Sequence, residues 1–214
     1  MAKEVMAELK RVPVRHPQQN LRYSYYQLLS HEERQKLPKA LECYIGPLIE
    51  RCAGVSPHTK CRLLYDALSR FLTYDMTKDA GELRYSYVGG LLNGRAVCMG
   101  IAELFTMLAK AFGLKCVTVI GYGGDPARKG GLHAWNIVWI EEIPYHMDLT
   151  WDLQRRLFRF YLKSDAYMRD HDHQWLEERY PRCPVNGTHI PRVPKEAVDT
   201  MVHQLEALRK NLNN

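Results

Sequence analysis

Apolar residues recur three and four apart at Ile101, Leu104, Phe105, Leu108, Ala111 and Phe112, the spacing of one buried helical face. The pattern predicts a helix over 101–112 closed by Gly113, a residue that takes the left-handed stop freely. Leu64, Leu68, Phe71 and Leu72 repeat it within "SPHTKCRLLYDALSRFLTYD", where Ser56 is placed to cap and Pro57 to open the first turn. Further back, Leu37, Leu41, Tyr44, Ile45, Leu48 and Ile49 predict another helix, which Pro47 should kink or split. Residues 76–96 read as a glycine-bearing loop that leads into Cys98, at the start of the 101–112 helix.

After Gly113 the period changes. "KCVTVIG" is short and β-branched and predicts a strand. "LHAWNIVWI" and "IPYHMDLTW", separated by Glu141-Glu142, predict two more strands close enough to form a hairpin. The intervening "GYGGDPARKGG" lacks the ending and the following helix of a phosphate-binding loop; it fits a flap beside His133 or a plain hairpin loop. "SDAYMRD" predicts a helical turn, Tyr180 to Pro194 a proline-bounded loop, and Lys195 to about Leu212 a terminal helix. The expected architecture is α+β, helices first and then an antiparallel sheet packed on the Cys98 helix. Residues 1–19 read as a polar arm and 20–214 as a single domain with its core at about 60–165.

Composition narrows the function classes. At 214 residues the chain has length for one well-covered core. A formal charge of +6 comes from Lys and Arg scattered among acids, without the clustered basic and aromatic motif of a nucleic-acid binder. The start has no apolar segment of signal-peptide length, and no run suits a membrane span. Six cysteines without a CxxC pair are expected to be reduced. A cytoplasmic protein with no nucleic-acid or membrane partner follows as the expectation.

The candidate chemistry starts at Cys98. A thiolate gains from the orphan N–H groups and dipole of a helix start, although cysteine is also a common core residue. A cysteine nucleophile needs a base with a fixed tautomer. His133 opens one predicted strand and Asp148 lies near the end of the next, so a tight hairpin can bring them together; a packed strand histidine and a strand-end acid are the plainer readings. "RDHDHQW" with Cys183 and His189 matches no standard zinc spacing, and no metal or cofactor is expected. Cys43, Cys52 and Cys61 read as small apolar fillers.

Three blocks in order, "RAVCMGIAELFTMLAKAFGLKCVTVIGY", "HAWNIV" and "YHMDLTWD", resemble the transglutaminase-like superfamily, relatives of papain-type cysteine peptidases, and its bacterial members most. The resemblance covers about residues 60–165. It implies a papain/transglutaminase-like fold and a triad of Cys98 as nucleophile, His133 as general base and acid, and Asp148 orienting His133. It also implies an acyl-thioester formed on a peptide or amide substrate, resolved by water or by an amine. The Cys98 N–H is the expected first oxyanion donor. No glutamine precedes the cysteine, which leaves Tyr85, Tyr87 or Asn93 for the second, while Trp135 borders the site as a core or substrate-contact residue. Arg128 and Lys129 would disfavour a protonated lysine acceptor, which points to hydrolysis of a peptide or protein substrate with acidic groups. A binding or scaffold module without turnover is the alternative.

Overall fold

The structure is a computed structural model that describes residues 29–77, 81–124, 130–155 and 158–214. The polar arm and the Arg128–Lys129 part of the glycine loop lie outside the described residues. Ser30 starts helix α1 (His31–Arg51) with a capping box, its hydroxyl accepting from Glu33 N–H while the Glu33 carboxylate accepts from Ser30 N–H. The helix runs through Pro47 to Arg51 without the expected split. Buried Ile45 and Leu48 bracket the proline, so packing on both sides holds the helix across the missing hydrogen bond. Helix α2 (Pro57–Phe71) follows, capped by Ser56 as the sequence predicts.

Between α2 and Cys98 the chain is more ordered than its glycines suggest. Strand β1 (Thr73–Tyr74) pairs in parallel with β2 (Arg95–Ala96), and between them lie a 3-10 turn (Glu82–Tyr85) and helix α3 (Tyr87–Asn93). Gly89 and Gly90 discourage a helix by local propensity. Gly89 is nevertheless required here, because a Cβ on it would overlap the Leu83 carbonyl. Close packing overrides propensity in this segment.

Helix α4 (Cys98–Ala111) starts at the cysteine and ends at Gly113, which takes φ +80°. Strands β3 (Cys116–Gly123), β4 (Gly131–Ile140), β5 (Ile143–Met147) and β6 (His173–Trp175) form one antiparallel sheet in the order β5-β4-β3-β6. The β4–β5 turn places both Glu141 and Glu142 at positive φ, the conformation that matches strand twist in two-residue hairpins. The strand expected over "IPYHMDLTW" stops at Met147, and Leu149–Arg155 is helix α5. After α6 (Asp165–Asp170) the chain returns as β6, an unforeseen strand, and helix α7 (Lys195–Asn213) packs back on α1 and α2.

The sheet divides two apolar clusters. Leu64, Leu68, Leu104, Phe105, Val138 and Leu205 belong to the larger one, between the sheet and the helices. Val119, Trp135, Ile137, Phe160 and Trp175 make a smaller one. Asn136 fastens the sheet to α4 by donating to the Ala102 carbonyl and the Thr106 hydroxyl, each at 2.9 Å. That clamp holds the helix carrying Cys98 against the strand carrying His133. Among the described residues no helix is long and apolar enough to cross a membrane.

Candidate active site

Cys98 is the first residue of α4, half-buried, with Val97 as a cap that contributes no side-chain bond. Its N–H is therefore among the donors that the helix leaves without an internal partner. The helix start is seated on the preceding turn: Val97 N–H donates to the Arg84 carbonyl at 3.1 Å. Gly100 permits this approach, because a Cβ there would overlap the Arg84 carbonyl. Gly100→Ala should destabilise the protein by about 1–3 kcal/mol. That lowers the melting midpoint by roughly 2–12 °C for a chain of this size, and calorimetry checks it.

The Cys98 thiol and the His133 imidazole lie close enough to act on each other's ionisation. His133 Nε2 lies 2.6 Å from Asp148 Oδ2, so Nδ1 is the ring nitrogen left for the thiol. Burial would raise the thiol's pKa, but the neighbouring His133 imidazole and the Ala134 backbone bring it below the ordinary value. Burial would likewise lower the imidazole; the Asp148 charge and bond override it and raise His133 to about 10. A thiolate beside an imidazolium is the resting state these shifts favour.

Asp148 is fully buried and is not a strand residue. It caps α5, its Oδ1 accepting the Trp151 N–H at 3.0 Å. Its Oδ2 accepts from His133 and also lies 3.0 Å from His173 Nε2. Burial alone would push this carboxyl up, yet His133 and then His173 hold it well below the usual carboxylate range. His173 was outside the expected site. The signal available for it was only a histidine in "RDHDHQW", because its place depends on β6 joining β3, with Gly123 opposite His173.

The other residues nominated from the sequence take different places. Tyr85 is 39% exposed and lies beside Tyr74, which senses both Tyr85 and Cys98 electrostatically. Tyr74, whose backbone pairs with Ala96 two residues before Cys98, is a phenol on this edge that the sequence did not single out. Tyr87 donates its N–H to Glu103 Oε2, more than a helical turn beyond Cys98. Asn93 ends α3 at the side facing α7, where Asn213 donates to the adjacent Leu92 carbonyl. Trp135 is 1% exposed and stacks on His133, and its indole N–H donates to His146 Nδ1 at 2.9 Å. It packs the site and presents no surface to a substrate. Of the cysteines nominated as fillers, Cys52 and Cys61 are buried but Cys43 is exposed.

The residues weighed for zinc are dispersed. His171 stacks on Tyr167, His189 meets His58, and Cys183 joins Asp165 and His146. The His146–Asp165–Cys183 group and the His133–Asp148–His173 group each bring three metal-ligand atoms together. In the first, His146 Nδ1 already accepts from Trp135, so the Nε2 facing Asp165 at 2.9 Å carries the proton. A neutral imidazole so fixed has no lone pair to offer an ion, and the group ties β5, α6 and the Cys183 segment together by hydrogen bonds.

A thiol at a helix start, an imidazole on the adjacent strand and a buried carboxylate behind it, on this α+β scaffold, are the arrangement of the papain/transglutaminase-like class. Residues 50–151 match the family model of the transglutaminase-like superfamily, which supports the resemblance read from the sequence. The chain is similar to proteins named kyphoscoliosis peptidase, at 31% identity in Mus musculus and 30% in Homo sapiens, over 39% of this chain. It spans 14% of the length of either relative. A solved structure of a TGase matches 70% of this chain and 36% of its own, at 19% identity and a TM-score of 0.40.

Proposed function

We propose that the protein is a cysteine-dependent acyl-transfer enzyme that cleaves a peptide or amide bond by way of a thioester on Cys98. The observation that carries this reading is the thiol at the start of α4, its ionisation favoured by a neighbouring imidazole whose Nε2 is held by a buried carboxylate. The name peptidase borne by the mouse and human relatives agrees with it.

Cys98 Sγ attacks the carbonyl carbon, and the oxyanion takes a hydrogen bond from the Cys98 N–H and from a phenol, Tyr74 or Tyr85. As the C–N bond breaks, His133 gives its proton to the departing amine and the acyl group remains on sulfur. Water then attacks the thioester, His133 takes the proton, and the C–S bond breaks to release the acid and regenerate the pair. Water is favoured over a lysine amine because Arg84, which donates to the Tyr85 hydroxyl, and exposed Arg95 bring positive charge to this edge. The same charges suit a peptide or protein substrate with acidic groups near the scissile bond.

Competition alkylation tests the nucleophile. Burial raises the thiols of Cys52, Cys61 and Cys183 and pushes Cys116 up to about 12, whereas Cys98 is lowered. Iodoacetamide at neutral pH should therefore modify Cys98 ahead of the other five, including exposed Cys43. Mass mapping that finds Cys43 or Cys116 modified first would sink the proposal. With an acyl-glutamine peptide and excess primary amine, the acid should be the main product; a predominant amine adduct would make cross-linking the activity.

A further inference from the structure

Asp148 Oδ2 serves two imidazoles, and the mechanism above uses only His133. His173 is wholly buried, and both its ring nitrogens have partners. Nδ1 is 2.8 Å from the His171 carbonyl oxygen, and Nε2 is 3.0 Å from Asp148 Oδ2. A carbonyl oxygen has no proton to give, so Nδ1 must be N–H. Oδ2 is an acceptor shared with His133 Nε2 at 2.6 Å. A carboxylic proton there would have to be shared between two ring nitrogens, and the site is more simply satisfied with N–H on both rings. His173 Nε2 is then N–H as well, which makes the ring an imidazolium.

Burial by itself disfavours a charged ring, so the two acceptors and the Asp148 charge have to offset it. Trp151, Trp135 and Phe160 enclose the His173 ring with centroids at 4.3, 5.1 and 5.2 Å, so the Asp148 carboxylate is the charge nearest to it and is not screened by water. The ionisable groups facing it are His133 on β4, Asp148 at the β5–α5 junction and, beyond Trp135, His146 tied to Asp165. Trp151 of α5 and Phe160 contribute no charge, and neither does Gly123, its partner on β3. On its own turn stand His171, stacked on Tyr167, and Asp172.

We propose that His173 is a positioning residue held as an imidazolium, so that Cys98, His133, Asp148 and His173 form a row of alternating charge with no net charge. Its two N–H bonds fix the carboxylate that orients His133. Its charge offsets the repulsion between Asp148 and the thiolate, and it eases the loss of protons from both Cys98 and His133. The pH window in which the thiolate–imidazolium pair exists is thereby set from a residue outside the segment matched to the family. The effect on turnover rests on the acyl-transfer reading above; the charge row itself does not.

The test is the pH dependence of Cys98 alkylation and of amide turnover in the wild-type protein and in His173→Gln, whose amide can still donate to Asp148 but carries no charge. Loss of one nearby charge should move both limbs of the profile to higher pH, on the order of one unit. In the wild-type protein, ¹⁵N resonances of the His173 ring should show both nitrogens protonated near neutral pH. Profiles that superimpose in a folded His173→Gln protein overturn the proposal. So does a neutral His173 ring, or a stoichiometric zinc ion that a chelator removes from His133, Asp148 and His173. If His173→Gln fails to fold, the wild-type resonances decide. A shifted alkylation profile in a protein that turns over no amide would keep this inference and reject the acyl-transfer reading.

Discussion

Cys98→Ala and His133→Ala should each lower turnover by on the order of 10⁴-fold or more, and the double variant should lose little beyond either one. In the proposed mechanism the sulfur forms the bond to the acyl carbon, and the imidazole moves the proton that lets the amine leave. Without one of them the other has nothing to act on, which is why the losses do not add. Cys98 is only half-buried and starts its helix, and His133 sits at the open end of β4. Alanine at either position should leave the fold intact, as circular dichroism and the melting midpoint would show. Losses that multiply in the double variant would mean that the two side chains act independently, contrary to the electrostatic coupling between them.

Asp148→Asn should cut the rate by on the order of 10³- to 10⁴-fold while sparing the fold. Asparagine caps helices about as well as aspartate, so its side-chain oxygen can still receive the Trp151 N–H at the start of α5. The NH₂ group then faces His133 Nε2 and His173 Nε2 where an acceptor stood at 2.6 and 3.0 Å. His133 would have to turn its lone pair toward that amide and keep its proton on Nδ1, toward the thiol. The base is lost, and with it the pull that raises His133 and lowers Cys98. Rates across pH, with Cys98 alkylation beside them, check this. Wild-type turnover by Asp148→Asn would show that another group orients His133.

Much of the scaffold is legible in short stretches of the chain. Capped helices with three-and-four apolar spacing, such as α2 and α4, are encoded within a dozen or so neighbouring residues. So is the hairpin of β4 and β5, whose turn and strands are contiguous. The order of the three blocks also points to Cys98, His133 and Asp148, which the structure gathers in one place. The glycine-rich stretch before Cys98 is harder to read, because Gly89 obeys a contact with Leu83 and not its own propensity.

The sequence by itself determined the helix that presents the thiol, the strand that presents the imidazole, and the candidate residues on each. Those features depend on local period and cap chemistry, so neighbouring residues specify them. Only the tertiary structure decided that Asp148 caps a helix while binding two imidazoles, that Trp135 spends its indole N–H on His146, and that Tyr74 lies near Cys98. It alone brought His173 to the site by laying β6 against β3. These are pairings of buried polar groups, some close in the chain and others 25 residues apart, as His173 is from Asp148. No periodic pattern records them, since burial compels each such group to find a partner and the fold decides which one.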